Sequence, residues 1–137
     1  MDWKYLFTSR EGRISRKPFW LASLALFVVM LIVAFVFAPF LGLLSLVLFI
    51  PLVIAGFMVT LKRAHDRDRP EWYVIAYYVL AILFTIASSF MLIDPTGTAF
   101  FILNLVLGIW AIVLLVDLGF LRGTQGSNRY GPDPLSA

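Results

Sequence analysis

The chain has no cysteine, which excludes disulfides, thiolate catalysis and cysteine-based zinc or iron–sulfur sites. Histidine is almost as scarce, with His65 the single example, so any metal site would lack the imidazoles that usually build one. Charge is short as well: charged residues make up 14% of the chain, against the ~25% usual in soluble domains. What fills the space is apolar, at 61% hydrophobic residues against roughly 45–50% in a soluble domain. Water would not dissolve such a surface, so the excess must face lipid. A length of 137 residues limits the chain to one domain, 1–137. The net charge of +3 does not indicate nucleic acid, because the basic residues flank apolar runs instead of covering a solvated face.

Those apolar runs predict an all-α, integral-membrane four-helix bundle made of two transmembrane hairpins. From Pro18 to Leu61 there is no formal charge, a run roughly twice the ~20 residues that cross a hydrocarbon core. Pro39 and Gly42 in "FAPFLG" are the natural break, giving helices near 19–38 and 40–61. A third charge-free run predicts a helix over 72–93. "DPTG" (Asp94 to Gly97) then reads as a tight turn before a fourth helix over 99–120 and a tail over 121–137. The first run follows a basic segment, but it is longer than the 7–15 residues of a signal-peptide core and reads as an anchor.

Direction follows from Lys and Arg. Lys4, Arg10, Arg13, Arg16 and Lys17 precede the first helix, Lys62, Arg63, Arg67 and Arg69 lie between the second and third, and Arg122 and Arg129 follow the fourth. Those are all the basic residues, and a four-span topology puts them on one side. Positive charge stays in the cytoplasm, so both termini and the central loop are expected there.

Inside the helices, Pro51 should kink the second by removing its hydrogen bond to the Val47 carbonyl. Thr85, Ser88, Ser89 and Asn104 are expected to bond between helices. Asp117 lies near the cytoplasmic end of the fourth helix, where a carboxylate usually has a cationic partner. Lys62 or Arg63, at the same depth on the second helix, is the expected partner for an intramembrane ion pair. "RKPFW" (Arg16 to Trp20) and "DRPEW" (Asp68 to Trp72) open the first and third helices alike. Proline suits a first helical turn, and Trp20 and Trp72 suit the membrane interface as anchors.

Three polar segments are expected to meet on the cytoplasmic face: "REGRISRKPFW" (Arg10 to Trp20), "LKRAHDRDRPEW" (Leu61 to Trp72) and "GTQGSNRYGPDP" (Gly123 to Pro134). The third is a string of turn residues. A "GRISR…FW" entry, a "KRAHDRD…W" loop and a "G-x-N-R-Y-G-P-D-P" tail around paired apolar hairpins resemble the YhaH-like bacterial inner-membrane proteins (domain of unknown function 805). The likeness covers nearly the whole chain. That family's central loop reads more like "RRLHD" followed by "SGW", so Lys62, Ala64 and Pro70-Glu71 depart from it. The resemblance implies a bacterial inner membrane and marks Gly12, Arg13, Arg16, Arg63, His65, Asp66, Asn128, Gly131, Asp133 and Pro134 as motif positions. It implies no activity.

The residues allow two main readings of this face. In one, Arg13, Arg16 and Arg63 pair with Asp66, Asp117 and Asp133 and staple the tail to the helix ends. In the other, those arginines hold a phosphate or an anionic lipid headgroup through their planar forks, with His65 and Asn128 adding hydrogen bonds. Metal binding through His65, Asp66, Asp68 and Glu71 is disfavoured by the interleaved cations. No cofactor is expected. No nucleophile motif or phosphate-binding glycine loop accompanies His65-Asp66, so catalysis is not expected either. The expectation is therefore a binding or regulatory membrane module. Its partners would be anionic lipid, a phosphate-bearing ligand, a cytoplasmic protein or a second copy of itself. A small oligomeric transporter or channel is the alternative.

Overall fold

The computed structural model describes residues 3–90 and 92–135. Met1, Asp2, Met91, Ser136 and Ala137, which the expected boundaries 1–137, 72–93 and 121–137 include, lie outside them. Among the described residues the regular structure is helical, apart from one isolated antiparallel bridge between Asn128 and Gly131, and turns and irregular segments join the helices and form the tail.

A short helix, α1 (Trp3–Thr8), precedes the first span. The span itself begins as α2 (Arg16–Ile32), with Pro18 in its first turn, where a missing N–H breaks no intrahelical bond. It then widens into a π turn, Val33–Phe37, in which the Ala38 N–H reaches back to the Val33 carbonyl. Pro39 explains the widening: it has no N–H for the Phe35 carbonyl, and its ring crowds that turn. The helix therefore survives Pro39 and continues through α3 (Ala38–Leu41). The break falls at Gly42, whose φ of 53° suits a residue without a Cβ.

After a 3₁₀ turn (Gly42–Leu44), α4 runs from Ser45 to Asp66 and passes Pro51 without interruption. This corrects the expected end at Leu61. Lys62, Arg63, Ala64, His65 and Asp66 belong to the helix, and all five are buried. Their polar groups have partners there, so the helix need not end where charge begins. Arg67 caps it, and Asp68, at φ 54°, turns the chain toward α5 (Trp72–Ser89). In "DPTG" the Gly97 N–H donates to the Asp94 carbonyl (3.0 Å), closing the turn. The last span is α6 (Thr98–Leu115), followed by a second π turn, Val116–Phe120.

Four helices are long and apolar enough to cross a membrane: Arg16–Leu41, Val47–Asp66, Trp72–Ser89 and Thr98–Phe120. α2 packs on α4, α4 on α5, and α5 on α6, while α1 packs on α4. In the most apolar stretch of each span 28% of the residues are buried on α4 but 6% on each of the others, so α4 is the central helix. The buried apolar cluster gathers at one end of the spans. Leu6, Ile14, Phe19, Val59, Leu61, Val74 and Leu118 belong to it, and each lies within a few turns of the charged segments.

The polar residues within the spans correct another expectation. Thr85, Ser88, Ser89 and Asn104 donate to the carbonyls of Ala81, Phe84, Thr85 and Phe100, each four residues back on its own helix. Between helices, Thr60 and Tyr78 share a 3.2 Å hydrogen bond from α4 to α5. A hydroxyl's own i−4 carbonyl is always in reach, whereas a neighbouring helix must approach closely to offer a partner.

Candidate functional site

The polar end is organised around the Asp66 carboxylate in the last turn of α4. Oδ1 accepts from Arg13 Nε (3.1 Å) and Nη2 (3.0 Å), and Oδ2 accepts from Arg63 Nη1. All three side chains are nearly sealed from solvent, at 1% exposure for each arginine and 4% for Asp66. Burying such charges is costly unless their donors are matched, and here they are. Arg13 also donates to the carbonyls of Gly126 (2.8 Å), Gly131 (3.1 Å) and Thr124 (2.7 Å), which gives acceptors to all five of its N–H groups. A segment from before the first span and a segment from after the last are thereby joined through one guanidinium.

Arg63 serves the end of the fourth span. The terminal carbonyls of any helix lack intrahelical donors, and the π turn at Val116–Phe120 presents several of them. Arg63 Nε donates to Leu118 (2.6 Å) and Nη2 to Leu121 (2.6 Å). Trp20 Nε1 donates to Gly119 (2.9 Å) and Arg16 Nη1 to Phe120 (3.1 Å). Cations also suit the negative end of a helix dipole. Gly119 has no room for a side chain, because a Cβ there would lie 2.8 Å from the Trp20 ring. Gly123 has none either, since its Cβ would overlap the Asp66 carboxylate.

The tail closes over the C-terminal end of α4. Thr124 N–H donates to the Asp66 carbonyl (2.8 Å), and Asn128 Nδ2 donates to the His65 carbonyl (2.9 Å). Tyr130 stacks on the His65 ring, with centroids 3.8 Å apart, and its hydroxyl donates to the Arg69 carbonyl (3.0 Å). Asp133 accepts from the N–H groups of Gly126 (3.1 Å) and Leu135 (2.9 Å). The Leu135 amide first, then the Gly126 amide and the nearby cations Arg13 and Arg122, hold its carboxyl below the ordinary value of 3.8 against the opposing effect of desolvation.

The structure thus brings Arg13, Arg16, Arg63, His65, Asp66, Asn128 and Asp133 into one region. It does not leave the guanidiniums of Arg13 and Arg63 open to phosphate, because backbone carbonyls and Asp66 already occupy them. The expected ion pair is also corrected. Asp117 accepts from Arg67 (2.8 Å) and Arg69 (2.9 Å), not from Lys62 or Arg63. Lys62, fully buried, donates instead to the carbonyls of Tyr5 and Leu6 (2.7 Å for the latter) and lies 4.3 Å from the Tyr5 ring centre. The extension of α4 is the reason: it turns Lys62 toward the end of α1 and lets the loop beyond reach back to Asp117. Asp68 likewise pairs with Arg129 (3.0 Å). Of the two expected anchors, Trp20 is tied to the fourth span and Trp72 is 65% exposed.

Thr124, Tyr130 and α1 are parts of this end that the sequence reading does not single out, and Lys62 belongs to it through α1 instead of through Asp117. Tyr130 had a signal, an aromatic inside the quoted "NRYGP" tail, but Thr124 had none. Among the described residues no group of three His, Cys, Asp or Glu is placed to hold a metal ion.

A family model described as "Protein of unknown function (DUF805)" matches residues 7–132. The chain is also similar to the "Uncharacterized protein YiiR" of Escherichia coli strain K12 and of Escherichia coli O157:H7, 32% identical over 78 residues in each case. That alignment covers 55% of this chain and 49% of the relative, so the chain spans about half the length of the curated relatives it matches. No solved structure matches.

Proposed function

The chain belongs to the DUF805 family, and we propose that it is an inner-membrane binding or regulatory module whose basic face engages anionic lipid headgroups. In this reading both termini and the loop after α4 are cytoplasmic, because all eleven Lys and Arg fall on one side of the four spans. The observation that carries it is the division of labour among those cations. Arg13, Lys62 and Arg63 are buried and hold the fold together, whereas Lys4, Arg10, Arg16, Lys17 and Arg122 remain exposed beside the helix ends. Arg16 and Arg122 flank a cleft of about 20 Å³, room for a single water, so a headgroup would sit at its mouth and not inside. Exposed cations at that depth attract anionic lipid by about 1 kcal/mol each.

Full-length protein reconstituted with brominated phosphatidylglycerol or brominated phosphatidylcholine tests this through tryptophan quenching. Several-fold preference for the anionic lipid is expected, weakened by 1 M salt and by joint Arg16→Ala and Arg122→Ala substitution. Equal quenching by the two lipids would sink the reading. Solute flux through the same vesicles would turn it toward a transporter.

A further inference from the structure

On the other flank of the polar end lies a cavity of about 370 Å³ that shares no lining residue with the Arg16–Arg122 cleft. The volume exceeds what one water would fill, at ~30 Å³ per molecule. His65 forms part of its wall. The ring is held from two directions: Tyr130 stacks on its face, and Nδ1 lies 3.1 Å from the Gly12 carbonyl. A carbonyl only accepts, so Nδ1 carries a proton, and when the ring is neutral Nε2 is the nitrogen that offers a lone pair. That Nε2 is buried and has no hydrogen-bond partner, in a residue 2% exposed. It lies 3.4 Å from a carboxylate oxygen, Glu71 Oε1, which is a second acceptor. With the ring neutral and Glu71 ionised, two acceptors face each other at the wall of a cavity and call for a donor to bridge them.

The rest of the lining has both signs. Arg10 and Arg129 bring guanidiniums, and Glu11 stands with Glu71 as a second carboxylate. Arg129 is already paired with Asp68 at 3.0 Å, which leaves the exposed Arg10 as the freer cation. The level is that of the membrane interface, because Glu71 directly precedes the exposed Trp72 that opens α5.

We propose that this cavity binds a phosphate-plus-ammonium zwitterion, the aminoethyl phosphate unit found in a phospholipid headgroup or as free phosphoethanolamine. The ammonium donates to His65 Nε2 and Glu71, which removes the acceptor–acceptor conflict, and the phosphate faces Arg10. A purely anionic ligand would leave that conflict in place and add charge beside two carboxylates. A divalent metal is not favoured, since no three ligating side chains converge among the described residues.

The test uses purified full-length protein in detergent, with free phosphoethanolamine, short-chain phosphatidylethanolamine and phosphocholine as probes in calorimetry. Phosphocholine keeps the phosphate but has no N–H, so it isolates the donor. Binding of an ethanolamine probe at least tenfold tighter than phosphocholine is expected. Stronger binding of the short-chain lipid assigns the site to a headgroup, and equal binding assigns it to the free metabolite. His65→Phe, which preserves the stack on Tyr130, and Glu71→Gln should each lower affinity at least tenfold, while joint Arg16→Ala and Arg122→Ala should not change it. Equal affinity for phosphocholine, no binding of either ethanolamine probe, or insensitivity to both His65→Phe and Glu71→Gln would overturn the proposal. The Arg16–Arg122 control keeps that failure separate from failure of the anionic-lipid reading.

Discussion

The two ends of this protein's polarity are inverted relative to a soluble domain. Where the chain is apolar it is mostly uncovered: along the most apolar parts of the α2, α5 and α6 spans only 6% of residues are buried. At the polar end, beneath cations that stay exposed, a charged core is closed: Arg13, Lys62, Arg63, His65, Asp66 and Asp117 are all buried. In lipid, apolar side chains gain little by leaving one apolar surroundings for another, so the spans have no strong reason to pack tightly. Charges at the membrane boundary have every reason to be matched, because each unmatched one would face a low dielectric. The specific contacts of the fold therefore concentrate in the region richest in charge, with the apolar cluster immediately beneath.

Substitutions should separate these two regions sharply. The largest effect belongs to Asp66→Ala, which leaves two sealed arginines without their carboxylate. It should destabilise the protein by ~3–5 kcal/mol, read as a collapse of the melting transition in detergent. Asp117→Asn comes next. Its arginine partners are partly exposed, at 20% and 46%, so a loss of ~1–2 kcal/mol is expected. A double-mutant cycle should find coupling to Arg67 and Arg69, and coupling to Lys62 instead would contradict the geometry. In the spans, Leu105→Val, at a side chain 64% exposed, should change stability by less than ~0.5 kcal/mol. An effect as large as that at Asp117 would mean the spans are covered by something.

The smallest expected effect is a pH dependence in the tail. Because the folded carboxyl of Asp133 is held below 3.8, its contribution is complete above that pH and is lost as pH falls through the lower folded value. Amide exchange at Gly126 and Leu135, corrected for intrinsic rate, should quicken below pH 3.8 in the wild type. Asp133→Asn should remove that change.

How much of this was readable beforehand differs between the regions. The spans were legible because hydropathy acts over about 20 residues and needs no partner. Their boundaries were less so. The first span outlasts Pro39 through a π turn, and α4 outlasts its charge-free run by five residues, Lys62 to Asp66. The onset of charge at Lys62 reads, from sequence, as the end of a helix. Charge ends a helix only where the charged groups must seek water, and here they find carbonyls and carboxylates instead. The tail motif was visible, but Thr124 and α1 contribute through hydrogen bonds that no spacing announces.

The sequence by itself determined that four apolar helices would form and that the cations would gather on one side of them. Both follow from transfer of side chains between water and lipid, which each residue feels alone. Only the tertiary structure decided that Asp66 would take Arg13 and Arg63, that Asp117 would take Arg67 and Arg69, and that His65 Nε2 would be left facing Glu71. Arg13 and Asp66 are separated by 53 positions, and eleven cations compete for eight carboxylates. Which pairs form depends on where helix ends stop and which carbonyls they expose, and that is a property of the packed chain.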